Sequence, residues 1–221
     1  MKKLLIILSL CGLTSFAMAA TTAPSSDDKT TVTVTASDCA SGSACFVIKS
    51  SATTLSQAVN QNLSSQQAFD MIQDSIIPQI DFTLMTRLAM GNNWKAATPE
   101  QQDQITNQFK QMLVYSYSKA LSKLKGANVT ITNSKNVSDK KSIVNCTLAM
   151  PSNGNSNNQP INIEYDLAKI AGSWKIYDVK IENASIVTTY RSQFNDTIQK
   201  DGVAGLISQL QAKTDALKTT K

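Results

Sequence analysis

The sequence predicts an α+β domain in which helices pack on a curved, four-stranded antiparallel sheet. Three observations support this fold class. Apolar residues recur every three to four positions from about residue 55 to residue 125, a spacing typical of helices. The apolar period then falls to two between about residues 129 and 182, which indicates strands with one buried face. The helical spacing returns after residue 185.

The first part of this pattern predicts three helices. Residues 55–77 are expected to form one helix that ends before a proline, and residues 82–90 a shorter second helix that ends at a glycine. The third helix has the clearest start, because Thr98 is a good N-cap and Gln101 completes a capping box. It is expected to run to about residue 125.

Four segments alternate apolar and polar residues, and each is predicted to be a strand. They cover residues 129–132, 144–150, 161–167 and 174–182. In the fourth strand the apolar parity changes after Ile176, so a bulge or a strong twist is predicted there. Ser185 and Asp201 are predicted to cap two closing helices.

The chain begins with the pattern of a secretory signal peptide. A positive start is followed by an apolar run over Leu4–Leu10, which is too short to span a membrane. Ala17-Met18-Ala19 has the small-x-small pattern of a cleavage site, so residues 1–19 are expected to be removed after Ala19. The protein is therefore expected to be exported.

The next segment, residues 20–54, is rich in serine and threonine and is expected to be a mobile arm. It precedes a single domain over residues 55–217, and residues 218–221 are expected to fray. Cys39 and Cys45 enclose five residues of this arm. An exported protein meets an oxidising compartment, which favours a disulfide between them, although two free thiols are the alternative. Cys146 is expected to be a small buried apolar residue.

Composition excludes several function classes. The chain has no histidine, which removes Ser-His-Asp and Cys-His catalysis and the commonest metal ligand. After signal removal the formal charge is +3, from 19 basic and 16 acidic side chains, without the basic clusters typical of nucleic-acid binding. Glu164 and Asp166 share a strand parity and would suit acid–base chemistry, but the solvated face of a strand is the favoured interpretation. No enzyme, cofactor or metal site is expected.

Several segments, taken in order, resemble the MlaC family, the toluene-tolerance auxiliary proteins of an ABC transporter. The resemblance covers about residues 63–217. The segments that carry it are Ile77-Pro78-Gln79-Ile80-Asp81-Phe82, Met85-Thr86-Arg87-Leu88-Ala89-Met90-Gly91, Ala97-Thr98-Pro99-Glu100-Gln101-Gln102, Tyr117-Ser118-Lys119-Ala120-Leu121, Trp174-Lys175-Ile176-Tyr177-Asp178-Val179-Lys180-Ile181-Glu182 and Asp201-Gly202-Val203-Ala204-Gly205-Leu206-Ile207.

The resemblance implies a function. Proteins of this family are periplasmic carriers that bind phospholipid and do not act as enzymes. They pass it between an outer-membrane complex of the lipoprotein MlaA with a porin and the MlaD subunit of an inner-membrane ABC transporter, which maintains outer-membrane lipid asymmetry. The implied fold encloses an apolar ligand cavity between helices and sheet.

Twelve apolar positions between helices and sheet are the candidates for contact with lipid tails, with ordinary core packing as the alternative for each. They are Met112, Leu113, Tyr117, Val144, Leu148, Ile163, Tyr165, Val179, Ile181, Ile186, Val187 and Tyr190. Four basic residues are candidates for contact with a headgroup or a partner, with a solvated surface as the alternative. They are Arg87, Lys95, Lys175 and Arg191.

Two other function classes stay open on the sequence. One is a structural or adaptor module of an envelope complex whose core is filled. The other is a lipid hydrolase, which the absence of histidine disfavours.

Overall fold

A computed structural model describes residues 33–36, 39–61, 65–121, 124, 126–150 and 159–219. The predicted signal peptide and the first part of the predicted arm lie outside the described residues. The helices are α1 (Ala44–Asn60), α2 (Ser65–Ser75), α3 (Phe82–Met90), α4 (Pro99–Leu121) and α5 (Ile186–Thr219). The strands are β1 (Thr33–Ala36), β2 (Asn128–Ser138), β3 (Lys141–Ala149), β4 (Ile161–Ile170), β5 (Ser173–Ile181) and β6 (Ala184–Ser185). Short 3-10 helices cover Ile77–Gln79 and Gly91–Ala96.

The strands form one six-stranded sheet in sequence order. The four strands that the sequence predicts form its centre, β2 to β5, and they pair antiparallel. Two short strands extend this sheet beyond the four predicted. β1 pairs parallel to β2, and the two residues of β6 pair with the end of β5. The α+β fold class is confirmed, with a strand count of six in place of four.

The predicted bulge lies at Tyr177. Asp166 of β4 pairs with Asp178, whereas the next residue, Leu167, pairs with Ile176, so Tyr177 is the extra residue. The extra residue restores the parity, because Ile176 and Val179 then lie on the same face of the sheet. The prediction from the parity change is confirmed.

The N-terminal part of the domain differs from the expectation. Residues 44–54 are not part of an arm but belong to α1, which Ser43 caps by accepting a hydrogen bond from the Phe46 amide at 3.1 Å. Ala44 and Ile48 are buried against the sheet, and a disulfide joins Cys39 to Cys45 at the start of the helix. The polar composition suggested an arm because only a few positions of α1 are buried, and these meet strands that are distant in the sequence.

The predicted helix over residues 55–77 is also wrong in its bounds. α1 ends at Asn60, and α2 covers Ser65–Ser75. The capping box of α4 is confirmed, since the Thr98 amide donates to Gln101 Oε1 at 3.0 Å and the Gln101 amide donates to Thr98 Oγ1 at 3.3 Å. α4 ends at Leu121, four residues before the predicted end.

The last helical region, α5, runs to Thr219 and so continues into the segment predicted to fray. Ser185 caps it as predicted, because its hydroxyl accepts a hydrogen bond from the Thr188 amide at 2.9 Å. Gly202 interrupts the helical backbone with φ of 70°, a value that glycine adopts without strain. This kink lies one residue after Asp201, where the sequence predicts the start of a separate helix.

Candidate lipid-binding site

Two apolar clusters form the interior of the domain. The helical cluster lies between α3, α4 and α5 and includes fully buried residues such as Phe109 and Leu206. The sheet cluster lies between α1 and one face of β2 to β5 and includes Val144 and Leu167. Ile80 packs against both clusters, and the Asp81 amide beside it donates to the Ile176 carbonyl of β5 at 2.8 Å. We call the boundary marked by Ile80 the seam.

Six of the twelve predicted tail-contact residues belong to the helical cluster. Met112, Leu113 and Val187 are buried in it, and Tyr117, Ile186 and Tyr190 pack against it half-buried. These residues come from the middle of α4 and the start of α5. The helical spacing of the sequence therefore places them on one surface, as expected from their periodicity.

The other six lie on one face of the sheet. Val144 is buried in the sheet cluster, and Ile163, Tyr165 and Val179 pack against it. Leu148 and Ile181 are half-buried on the same face, because their partners in the register are Ile161 and Ile163. The structure thus divides the twelve residues between two apolar surfaces. Their contact with lipid stays a prediction.

Three of the predicted residues are tyrosines with an unusual environment. Burial raises the pKa of Tyr190 to about 12, and it also raises the pKa of Tyr117 and of Tyr165. All three nevertheless keep partial access to solvent. Within the described part of the chain, their hydroxyls form no hydrogen bond. Each ring packs half-buried against an apolar cluster, Tyr117 and Tyr190 against the helical cluster and Tyr165 against the sheet cluster.

The aromatic ring of Tyr190 also helps to shape the helical cluster. Its centroid lies 4.8 Å from that of Phe109 and 5.7 Å from that of Phe194. The Phe109 and Phe194 rings meet edge to face at 5.1 Å. Phe109 and Phe194 are not among the twelve predicted candidates, although both lie in predicted helices. They are buried behind Tyr190 and act as its packing partners.

The four predicted basic residues are not brought together in one place. Arg191 Nε donates to the Leu88 carbonyl at 2.8 Å and ties α5 to α3. Lys175 Nζ donates to the Pro78 carbonyl at 2.7 Å and ties β5 to the segment that contains Ile80. Arg87 and Lys95 are exposed on α3 and the 3-10 helix that follows it. Two of the four therefore join elements of the fold, which the sequence alone does not indicate.

Two open clefts lie on the surface beside the clusters. One has a volume of about 450 Å³, and its wall includes Ile80 together with Phe82, Ile170 and Lys175. The other has a volume of about 440 Å³ and lies between α4, α2 and the end of α5. Neither cleft is lined by any of the twelve predicted tail-contact residues. The larger one nevertheless reaches the seam, because Ile80 belongs to its wall.

The pair of strand carboxylates differs from the expectation of a solvated face. Glu164 is half-buried, but Asp166 is buried, and Lys180 Nζ lies 3.1 Å from its Oδ2. The hydrogen bond from Lys180 lowers the pKa of Glu164 and raises that of Lys180. All three side chains lie on the face of the sheet opposite to the six candidates of the sheet, so this ion-pair group stabilises the sheet and is not part of the sheet cluster.

Comparison with known proteins identifies the family. A sequence model described as "MlaC protein" matches residues 49–212. The chain belongs to the MlaC family. The matched range includes part of α1, in agreement with the structure, which places that helix inside the domain.

Two relatives extend the comparison of this MlaC-family chain. The toluene tolerance protein ttg2D of Pseudomonas putida is 28% identical over 144 residues, which are 64% of this chain and 65% of the relative, slightly less than two thirds of its length. A phospholipid-binding protein from Ralstonia solanacearum, solved in complex with a phospholipid, superimposes with a TM-score of 0.68 at 30% identity. The superposition covers 79% of this chain and 98% of that protein. No helix among the described residues is long and apolar enough to cross a membrane.

Proposed function

We propose that this chain is a periplasmic phospholipid carrier and not an enzyme. The observation that carries the proposal is the match to a phospholipid-binding protein that was solved with its lipid and that this chain covers almost completely. Membership of the MlaC family supports the same role. The absence of histidine from the whole sequence disfavours the hydrolytic mechanisms that a lipid enzyme would use most readily.

The two apolar surfaces supply what such a carrier needs. The acyl chains of one phospholipid contain about 25–30 methylenes, and exposing them to water costs on the order of 20 kcal/mol. A carrier has to cover most of this area, yet it must not hold the lipid much more tightly than a bilayer does. In our proposal the tails lie along the seam between the helical cluster and the sheet face, with the headgroup near solvent. Such a site selects for tails and tolerates several headgroups.

The tyrosines give this site its few polar groups. In our proposal the hydroxyls of Tyr117 and Tyr190 on the helical side, and of Tyr165 on the sheet side, face the ester and glycerol oxygens of the lipid. A phenol suits this position because its ring is apolar and its hydroxyl both donates and accepts hydrogen bonds. The hydroxyls would then gain in the complex the partners that they lack among the described residues.

The family suggests the route of the lipid. We propose that the carrier exchanges phospholipid with an MlaA-type outer-membrane lipoprotein in its porin complex and with the MlaD-type subunit of an inner-membrane ABC transporter. Cleavage of the signal peptide after Ala19 would place the mature protein between the two membranes. This exchange would maintain the lipid asymmetry of the outer membrane.

A transfer assay tests the carrier function. Donor vesicles with a self-quenched fluorescent phospholipid are mixed with unlabelled acceptor vesicles, and dequenching is followed with and without the purified mature protein. We expect the protein to accelerate transfer in proportion to its concentration. A rate equal to that of vesicles alone, from protein that is folded by circular dichroism, would contradict the proposal.

The alternative is a structural adaptor of an envelope complex with a filled core. It is favoured by one observation, that neither cleft is lined by any of the twelve candidates. The phospholipid content of the same purified protein distinguishes the carrier from the adaptor, because an adaptor neither carries phospholipid nor takes it up from vesicles. Cleavage of the phospholipid in the assay would instead indicate an enzyme.

A further inference from the structure

Two hairpin turns lie side by side at one end of the sheet. The turn between β2 and β3 and the turn between β4 and β5 are joined by a hydrogen bond from the Lys169 amide to the Lys140 carbonyl at 3.0 Å. We call residues 137–141 and 169–173 together the hairpin end. Residues 132–141, which are the second half of β2, the turn and the first residue of β3, are all exposed.

The hairpin end is basic. It contains Lys140, Lys141 and Lys169, and its one acidic residue is Asp139. Lys141 Nζ lies 5.9 Å from the centroid of the Tyr177 ring, and Lys169 Nζ lies 5.7 Å from that of Trp174. These cation–π contacts hold two of the ammonium groups close to the sheet. Tyr177 and, with a smaller effect, the Asp166 carboxylate also attract Lys141 and raise its pKa.

The hairpin end is also the place where large apolar side chains are exposed. Val137 is 50% exposed and Ile170 is 40% exposed. They are two of the three large apolar residues that are exposed in the described part of the chain. Each lies within three residues of a lysine in the sequence, so exposed apolar side chains and positive charges are close together at the hairpin end.

We propose that the hairpin end is a docking surface for an anionic phospholipid bilayer. Lysines near such a surface are attracted by its negative potential, and each one adds to the affinity. Val137 and Ile170 would enter the interface between headgroups and acyl chains, where exposed apolar side chains are stabilised. An acidic partner protein would offer the same charge, but separate exposed apolar side chains fit a fluid interface better than a preformed protein surface.

The position of the larger cleft fits this docking. Ile170 and Lys175 line the cleft that reaches Ile80 at the seam. With the hairpin end against a bilayer, that cleft would lie beside the headgroups. The docking surface is independent of the cargo, because it involves none of the twelve predicted tail-contact residues.

The test is vesicle flotation at low ionic strength with the mature protein. Vesicles of pure phosphatidylcholine are compared with vesicles in which about one third is phosphatidylglycerol. We expect binding to the anionic vesicles alone, and we expect it to disappear at high salt because screening removes the attraction. Lys140→Glu should weaken this binding by about five-fold or more, since it removes one attractive charge and adds a repulsive one.

The matched control is Lys200→Glu, which makes the same change of charge at an exposed position of α5. We expect it to bind nearly as well as the wild type. Ile170→Ser should also weaken binding, and circular dichroism checks that each variant is folded.

Equal binding to both kinds of vesicle, no binding at all, or an equal loss for Lys140→Glu and Lys200→Glu would overturn the proposal. Lipid transfer that depends on Lys140 only when a membrane complex is present, without vesicle binding, would also overturn it and would point to an acidic partner protein.

Discussion

The buried carboxylate of Asp178 joins the sheet to the last helix. It accepts hydrogen bonds from the Ser185 hydroxyl at 2.6 Å, from the Val187 amide at 3.0 Å and from the Val179 amide at 2.9 Å. Two of these donors lie at the start of α5, where amides lack partners within the helix. Asp178 therefore fixes the direction in which α5 leaves the sheet, and with it the position of Tyr190.

We expect Asp178→Ala to destabilise the protein by about 2–4 kcal/mol, because it leaves buried donors without acceptors. Urea unfolding measures the change. The control is Asp196→Ala, which removes an exposed carboxylate of α5 and should change stability by less than about 0.5 kcal/mol. Similar losses for the two variants would contradict the role assigned to Asp178.

A substitution at Leu148 tests whether the proposed lipid site lies on this face of the sheet. We expect Leu148→Glu to reduce the phospholipid that co-purifies with the protein, because a carboxylate on the apolar face is costly to bury against acyl chains. Thr147→Glu is the matched control, since the neighbouring side chain points to the opposite face. Lipid extraction followed by mass spectrometry measures the phospholipid content of each variant. Unchanged lipid in folded Leu148→Glu protein would show that the tails do not lie against this face.

Among the secondary-structure elements, the disulfide-closed turn before α1 is the part of the fold that the sequence predicts least well. The loop closed by Cys39 and Cys45 is short, but it sits at the start of a helix whose buried side chains complete the sheet cluster. Cys146 lies in the same cluster as a free thiol, and burial raises its pKa to about 12, so it is poorly suited to exchange with the disulfide.

Replacing Cys39 and Cys45 by serine should lower the free energy of unfolding by about 2 kcal/mol, the value expected for so short a loop. Urea unfolding of the wild type in the presence of reductant should give a similar loss. The double variant provides the control, because reductant should not affect it. A wild-type midpoint that does not change on reduction would show that the disulfide does not contribute to stability.

The ion pairs between β4 and β5 predict a pH dependence. The pKa of Glu164 is lowered in the folded protein, so its contribution is present above the pKa of the unfolded chain, near 4.5, and is lost as the pH falls. The pKa of Lys180 is raised, so its contribution is lost only at strongly alkaline pH. Glu164→Gln should reduce the loss of stability between about pH 5 and pH 3, by less than about 1 kcal/mol because the pair is partly solvated. An identical acid profile for variant and wild type would contradict this.

The elements that could be predicted are those with local signals. Thr98 and Gln101 define the start of α4 by themselves, and the parity change after Ile176 requires a bulge in any antiparallel strand. α1 could not be predicted, because its buried residues are few and their partners lie in β2, β3 and β5. The same distinction applies to the site. Periodicity predicts which side chains share an apolar surface, and the twelve candidates lie on two such surfaces. Whether such a surface meets a helix, a strand or a ligand depends on tertiary packing.

At the level of the whole domain, the described residues form two apolar clusters that meet at the seam, and Ile170 of the basic hairpin end lines the larger cleft. In the proposed function the lipid is the third component of this interior. A ligand that binds only the folded state stabilises it in proportion to the logarithm of its concentration over its dissociation constant. Lipid content and stability should therefore change together.

We expect protein stripped of lipid to melt at a lower temperature than protein purified with its lipid, by several degrees for a domain of this size. Adding back phospholipid vesicles should restore the original temperature. Differential scanning calorimetry measures both transitions. A melting temperature that is independent of lipid would show that the interior is complete without it, as the adaptor alternative requires.

Native mass spectrometry of the purified mature protein tests the carrier proposal most directly. We expect a mass above that of the polypeptide by one phospholipid in most molecules, and extraction would identify the lipid. A mass equal to that of the polypeptide, without uptake from added vesicles, would show that the protein is not a phospholipid carrier.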